Sequence, residues 1–164
     1  MAYPDKFEYD GVVMTAMENA IWDGWRDVKS IEFYKMNNPR NVIDKIDATF
    51  QLQLKNKMTY NIQIKRSKTC PDTVSVKGAT LRSYINKDYD LQMVLIGTAH
   101  TAEMYMFYWD DFLEYVEENL YSMKSRYGDY YIIRLSDLTK SLRYKELPYR
   151  PEDYEQLVAY WNNQ

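Results

Sequence analysis

The chain has 164 residues, of which 46% are apolar and 27% charged, with a formal net charge of −3. That length suits one domain with a core stable without staples, and the composition is that of a folded chain rather than a disordered one. A single cysteine, Cys70, and a single histidine, His100, exclude an internal disulfide, a Cys/His zinc centre and a thiol nucleophile with a choice of histidine partners. Residues 12–28, VVMTAMENAIWDGWRDV, have helical periodicity. Met14, Met17, Ile21, Trp25 and Val28 form one apolar stripe, with Ala16, Asn19, Asp23 and Asp27 opposite. Glu18 falls inside the stripe. An unpartnered buried carboxylate is expensive, so Glu18 implies a nearby cation or metal, or an edge position reaching solvent or an arginine.

After the turn-like NNPRN (Asn37 to Asn41), VIDKIDATFQLQL predicts a half-buried strand from Val42 to Leu54. Lys55-Asn56-Lys57 predicts a short hairpin loop, and Met58 to Arg66 the returning strand. A three-residue loop pairs Leu54 with Met58, Leu52 with Tyr60, Phe50 with Ile62 and Ala48 with Ile64, apolar on both sides each time. The opposite, solvated face then sets Thr49 across from Gln63 and Asp47 across from Lys65, with facing Cβ atoms about 5 Å apart. Asp44 is the rival acid, but parity puts it on the apolar side or ahead of the strand.

Leu91 to Gly97 is continuously apolar and predicts a central strand, joined through the loop around His100 to a further strand, Ala102 to Trp109. A helix follows from Asp110, with acids at its start where the dipole favours them. Tyr130 to Leu135 predicts a short strand, Ser136 a cap for the helix DLTKSLR, and Pro151 the first turn of a final helix, EDYEQLVAYWN. The whole predicts one α/β (α+β) domain over residues 1–164, with a central mixed sheet of four to five strands flanked by helices.

Charge is uneven along the chain. Between Lys55 and Lys87 eight cations face the single acid Asp72, whereas Asp110 to Glu118 is acid-rich. A basic region on an acidic body can hold a phosphate backbone locally; it is equally compatible with an ordinary solvated pattern. No GxxxxGK[ST] or GxGxxG occurs, so chemistry has to come from carboxylates, amides and lysines. No apolar run approaches the roughly 20 residues of a membrane span, and MAYPDKFEYD lacks a signal-peptide core, so the expected location is cytoplasmic.

A helix acid (Glu18), a strand Asp (Asp47) and a Q-x-K on the next strand (Gln63, Lys65) resemble the active-site pattern of the PD-(D/E)xK nuclease superfamily. The resemblance spans roughly Val12 to Trp109, and IDATFQLQLKNKMTYNIQIK carries most of it. Ile46 stands where the family's Pro precedes the strand Asp, and Gln63 replaces its usual acid, lowering the charge of the site. What the resemblance implies is a restriction-endonuclease-like core and a Mg²⁺ (or Mn²⁺) ion held by Asp47, the Gln63 carbonyl, the Ile64 backbone carbonyl and Glu18, directly or through water. Such a metal acidifies bound water and stabilises charge on the phosphate. Lys65 would orient the attacking water or stabilise developing charge. Arg66, Lys68, Lys77 and Arg82 would meet the phosphate backbone of DNA, the expected partner, without reading sequence. Many such domains cut as dimers, so a second copy or a larger complex enters as a further partner.

Two other functions compete with a DNA nuclease. One is a nuclease-fold module without activity, binding nucleic acid or protein. The other is an acidic interaction protein using the Asp110 to Glu118 face.

Overall fold

Strand alternation on one sheet divides the protein into two layers. A computed structural model of the chain describes residues 11–34, 37–53, 58–67, 70–97 and 102–163. Helix α1 (Gly11–Gly24) leads into the strand β1 (Val28–Phe33), the short helix α2 (Pro39–Val42) and the strands β2 (Ala48–Leu52) and β3 (Thr59–Arg66). There follow β4 (Thr73–Lys77), α3 (Gly78–Asn86), β5 (Met93–Gly97), β6 (Glu103–Tyr108) and α4 (Trp109–Met123). The chain continues through β7 (Tyr130–Arg134), α5 (Leu135–Ser141), β8 (Tyr144–Pro148) and α6 (Pro151–Asn162). The main sheet runs β1-β2-β3-β5-β6-β8, parallel only between β3 and β5; β4 and β7 form a separate antiparallel ribbon.

Even positions of the two central hairpin strands (Ala48, Phe50, Ile62, Ile64) share a core with Met93 and Leu95 of β5 and with Val13, Ala16, Met17, Ala20 and Ile21 of α1. Val94, Ile96 and Phe107 face the other way, onto Leu81 and Tyr84 of α3, Phe112 and Val116 of α4, and the β4–β7 ribbon. Each layer therefore buries its own apolar set, and the parallel β3–β5 pair is joined, as such pairs must be, by a crossover that carries α3.

The structure revises several expectations. Helix α1 stops at Gly24, where an added Cβ would lie 2.6 Å from Leu147 Cδ2, and Val28 to Phe33 is a strand. Trp25 and Val28 prolong the helical spacing in sequence, which hides that break. The buried stripe of α1 is also rotated, centred on the small Ala16 and Ala20. Val42 belongs to α2, which Asn38 caps by accepting from Arg40 N at 2.9 Å with Pro39 in the first turn. The hairpin register pairs Ala48 with Ile62 and Phe50 with Tyr60, two residues from the expected one. A two-residue slip conserves faces, so face matching alone could not detect it. Lys55–Lys57 and His100 lie outside the described residues. Ser136 sits inside α5 and donates to Asp72 Oδ2 at 2.7 Å rather than capping the helix. The strands β4 and β8 and the helix α3 add elements not read from the sequence, and the main sheet has six strands rather than four or five.

Phe50 is fully buried, with ring centroids 4.8 Å from Trp25 and 5.0 Å from Tyr60. Phe50→Ala is expected to cost about 3–5 kcal/mol in urea unfolding. Tyr121→Ala, at a site 97% exposed, should stay within about 0.5 kcal/mol of the parent.

Candidate functional site

Odd positions of β2 and β3 and the residue before β2 give a polar row on an otherwise apolar face. Asp47, Thr49, Asn61, Gln63 and Lys65 are all buried. The expected solvated outer surface is thus a covered one. Part of the cover comes from Tyr34 and residues 37–46: Tyr34 N donates to Asp47 O at 2.8 Å, Ile46 N to Arg40 O at 2.8 Å and Arg40 to Asn61 Oδ1 at 3.4 Å. Helix α3 closes the other side with Tyr84.

Asp47 anchors this arrangement. The backbone ladder ends where Asp47 N donates to Ile62 O at 2.8 Å. The next β3 amide facing that strand, Ile64 N, donates instead to Asp47 Oδ2 at 2.6 Å, so a carboxylate replaces a backbone acceptor. Asp47 Oδ1 accepts from Asn41 Nδ2 at 3.1 Å, and the same amide donates to Tyr34 O at 3.0 Å. A strand residue turns its N–H and C=O to the same side, so the Ile64 carbonyl also faces the gap beside Asp47. Gln63 Nε2 donates to Lys45 O at 2.7 Å. Lys45 has φ 60°, a left-handed conformation that costs a non-glycine residue free energy. Lys65 Nζ lies 5.1 Å from the centroid of the Tyr84 ring. Burial pushes the Tyr84 hydroxyl well above its ordinary pKa, and the charge of Asp47 adds to the rise. Asp47, Lys65 and Tyr84 therefore adjoin.

The row continues as a satisfied network. Tyr34 donates to Thr49 Oγ1 at 3.2 Å, and Thr49 to Asn61 Oδ1 at 2.9 Å. Asn61 Nδ2 donates to Asp90 O at 3.0 Å. A network of this kind fixes side-chain positions in a low-dielectric interior. Asn61 and Thr49 share parity with Gln63, which is a signal the sequence carries; nothing in it pointed to Asn41, Tyr34 or Tyr84.

Three of the four expected catalytic residues, Asp47, Gln63 and Lys65, thus share one buried patch. Glu18 stands apart, partly exposed on α1, which packs on the opposite face of the sheet. Asp44, the rival acid, is exposed. Arg66 shares the α1-side face with Ile62 and Ile64, and its guanidinium nitrogens are buried near Tyr149. Lys77 is exposed at the end of β4, and Arg82 pairs with Asp129 at 2.9 Å on the surface. Lys68 lies outside the described residues. Arg66 therefore belongs to a different layer from Lys77 and Arg82.

For a divalent cation the patch offers hard oxygens on adjacent strands: the Asp47 carboxylate, Gln63 Oε1 and the Ile64 carbonyl. No group of three or more His, Cys, Asp or Glu suited to a metal occurs among the described residues. The donor set fits a Mg²⁺-like ion that keeps several waters, with a single carboxylate to balance its charge. Comparison with protein-family models, curated proteins and solved structures found no match.

Burial pushes the Tyr149 hydroxyl up to about 12, against the opposing pull of Arg66. The folded protein keeps that proton through a range where the unfolded chain releases it near pH 10. Stability from this group is fully present below pH 10 and declines toward pH 12, at most about 1.4 kcal/mol per pH unit. Urea midpoints measured from pH 9 upward should fall less steeply in Tyr149→Phe than in the parent.

Proposed function

We propose that the chain is a divalent-metal-dependent nuclease of the PD-(D/E)xK type acting on DNA, with Asp47, Gln63 and Lys65 at its centre. The observation that carries this reading is the burial of both an acid and a lysine, 1% and 8% exposed, on the face where Val94 and Ile96 of the adjacent strand are apolar. Removing two charges from water is costly, and well-packed apolar residues in their place are often as stable or more so. A sheet built for stability alone has no need of them. A helix preceding a mixed sheet is an α+β arrangement, and the placing of an acid and a Q-x-K on neighbouring segments of one face adds support to the reading.

In this reading Asp47 holds the metal together with the Gln63 and Ile64 carbonyls, and Glu18 contributes from the neighbouring layer through water. The metal supplies an acidified water and charge neutralisation at the phosphate. Asn41 and the Ile64 amide fix the Asp47 carboxylate by occupying one lone pair of each oxygen. The left-handed Lys45 turns its carbonyl to the Gln63 amide nitrogen, which fixes the orientation of the amide and aims Oε1 away from that contact. Lys65, held against Tyr84, is the group that stabilises developing negative charge or orients water.

One observation favours a second reading, a module that binds without cutting: both Asp47 oxygens already receive protein donors, and the patch is covered.

The double variant Asp47→Asn with Lys65→Met removes both charges and keeps an acceptor for the Ile64 amide. It loses the acceptor for Asn41 and is expected to be less stable by about 1–3 kcal/mol yet folded, while plasmid and single-strand cleavage in Mg²⁺ or Mn²⁺ falls by about 100-fold or more. Undiminished cleavage by the folded variant would refute the site. Parent protein that neither cleaves nor takes up millimolar Mn²⁺ by calorimetry would establish the binding module instead.

A further inference from the structure

At the far end of the hairpin, on the α1-side face, lies a cavity of about 260 Å³ with a different chemistry. Helix α1 ends at Gly24, hard against β8. The side chains of Trp25, Tyr60 and Tyr108 wall the cavity, and the thioethers of Met93 and Met106 line it. Trp25 and Tyr60 are each anchored on the buried Phe50, at 4.8 and 5.0 Å between centroids, so these walls are held by the core. Tyr108 is 47% exposed and open to a ligand.

Two cations complete the cavity. Lys145 Nζ sits 5.1 Å from the centroid of Trp25, and the Arg143 guanidinium 5.0 Å from that of Tyr108. With a cation beside each of these rings, the cavity disfavours a cationic guest. Asp111 offsets part of the charge through a long 3.4 Å contact to an Arg143 side chain that is 79% exposed, a pairing of little strength. Asp27 also acts on Tyr60, whose hydroxyl is held above its ordinary pKa first by burial and then by Tyr108 and Asp27. What remains is an aromatic slot with positive charge at its edge. It suits a flat, electron-rich ring bearing an anion. The volume lies below the roughly 300–1,000 Å³ of pockets that enclose drug-sized ligands, so it accepts one ring system rather than a stack.

We infer that this cavity binds one unpaired nucleotide of a nucleic-acid strand, with the base against Trp25, Tyr60 and Tyr108 and its phosphate toward Lys145 and Arg143. Tyr60 is the second residue of β3 and Lys65 stands five positions along from it, so at about 3.3 Å per residue the slot lies roughly 16 Å along the strand from the buried lysine. A strand held there is gripped away from the Asp47 patch and on the other face. The inference goes beyond the cleavage reading and does not need it, because no metal takes part.

Binding is measured in EDTA by fluorescence anisotropy with labelled oligo(dT), oligo(rU), an abasic strand of the same length and a blunt duplex. The parent should hold the base-bearing single strands more tightly than the abasic strand or the duplex, and the dT and rU arms report which sugar is preferred. Tyr108→Ser leaves Phe50 covered and should weaken single-strand binding by roughly 5- to 150-fold, the worth of one base–aromatic stack. Lys145→Gln should weaken it further and reduce its salt dependence. Equal affinity for abasic and base-bearing strands would overturn the inference, as would unchanged binding by a folded Tyr108→Ser variant. Capture of an acidic aromatic peptide with no strand bound would also overturn it, in favour of protein docking. These outcomes are independent of whether Asp47 and Lys65 support cleavage.

Discussion

The hydrogen bond from the Ile64 amide to the Asp47 carboxylate is the constraint on which the polar half of the structure depends. It lies where β2 has not yet begun and β3 is already paired with β5, so a backbone donor would otherwise be left without its ladder partner. A buried amide without an acceptor costs about 1–3 kcal/mol, and a charged acceptor satisfies it better than a neutral one. The same carboxylate, through Asn41, also ties down the segment that covers the sheet. One side chain therefore ends a ladder, fastens a loop and brings a negative charge beside Lys65 and Tyr84.

That arrangement explains why the row of polar residues tolerates burial. Thr49 and Asn61 are satisfied by each other, by Tyr34, by the backbone and carboxylate of Asp90 and by Arg40. Asp47 and Lys65 differ in carrying charge, and the structure sets them against the Tyr84 ring, the Asn41 amide and the Ile64 peptide N–H. Thr49 and Asn61, nearer the turn, thus serve the fold alone, whereas at the open end Asp47 serves it too, and the buried charge it brings beside Lys65 is an excess over the neutral acceptor that the Ile64 amide requires. The functional reading rests on that excess.

How much of this was legible in the sequence follows from what each signal encodes. Alternation over 48–54 and 58–66 named the two faces of the hairpin correctly, because side-chain direction has period two in any register. It could not distinguish registers two residues apart, and with them whether Asp47 faces Lys65 or Gln63. Burial was hidden for a different reason. A polar face reads as solvated until something covers it, and the cover comes from a loop and from α3, whose GATLRSYIN is a short helix with no side-chain cap and no charge in its first or last turn to announce it. Strand β1 was obscured by Trp25 and Val28, apolar residues that continue a helical spacing past a glycine that ends the helix. The second α1 alanine stripe was missed because small residues carry little hydrophobic signal and yet permit the closest approach to a sheet.

The division into two faces also bears on the acid from α1. Glu18 begins in the layer that packs on Ile62 and Ile64, and Asp47, Gln63 and Lys65 begin in the other. In the proposed metal reading a direct bond from Glu18 to an ion beside Asp47 is therefore disfavoured, and any part Glu18 plays there would have to run through water. A glutamine in the strand position fits the same logic. With Lys65 buried beside it and one carboxylate already present, a further acid would add a second desolvated negative charge, whereas an amide adds an oxygen without one. A neutral Gln63 therefore limits the desolvated charge that this buried patch has to carry.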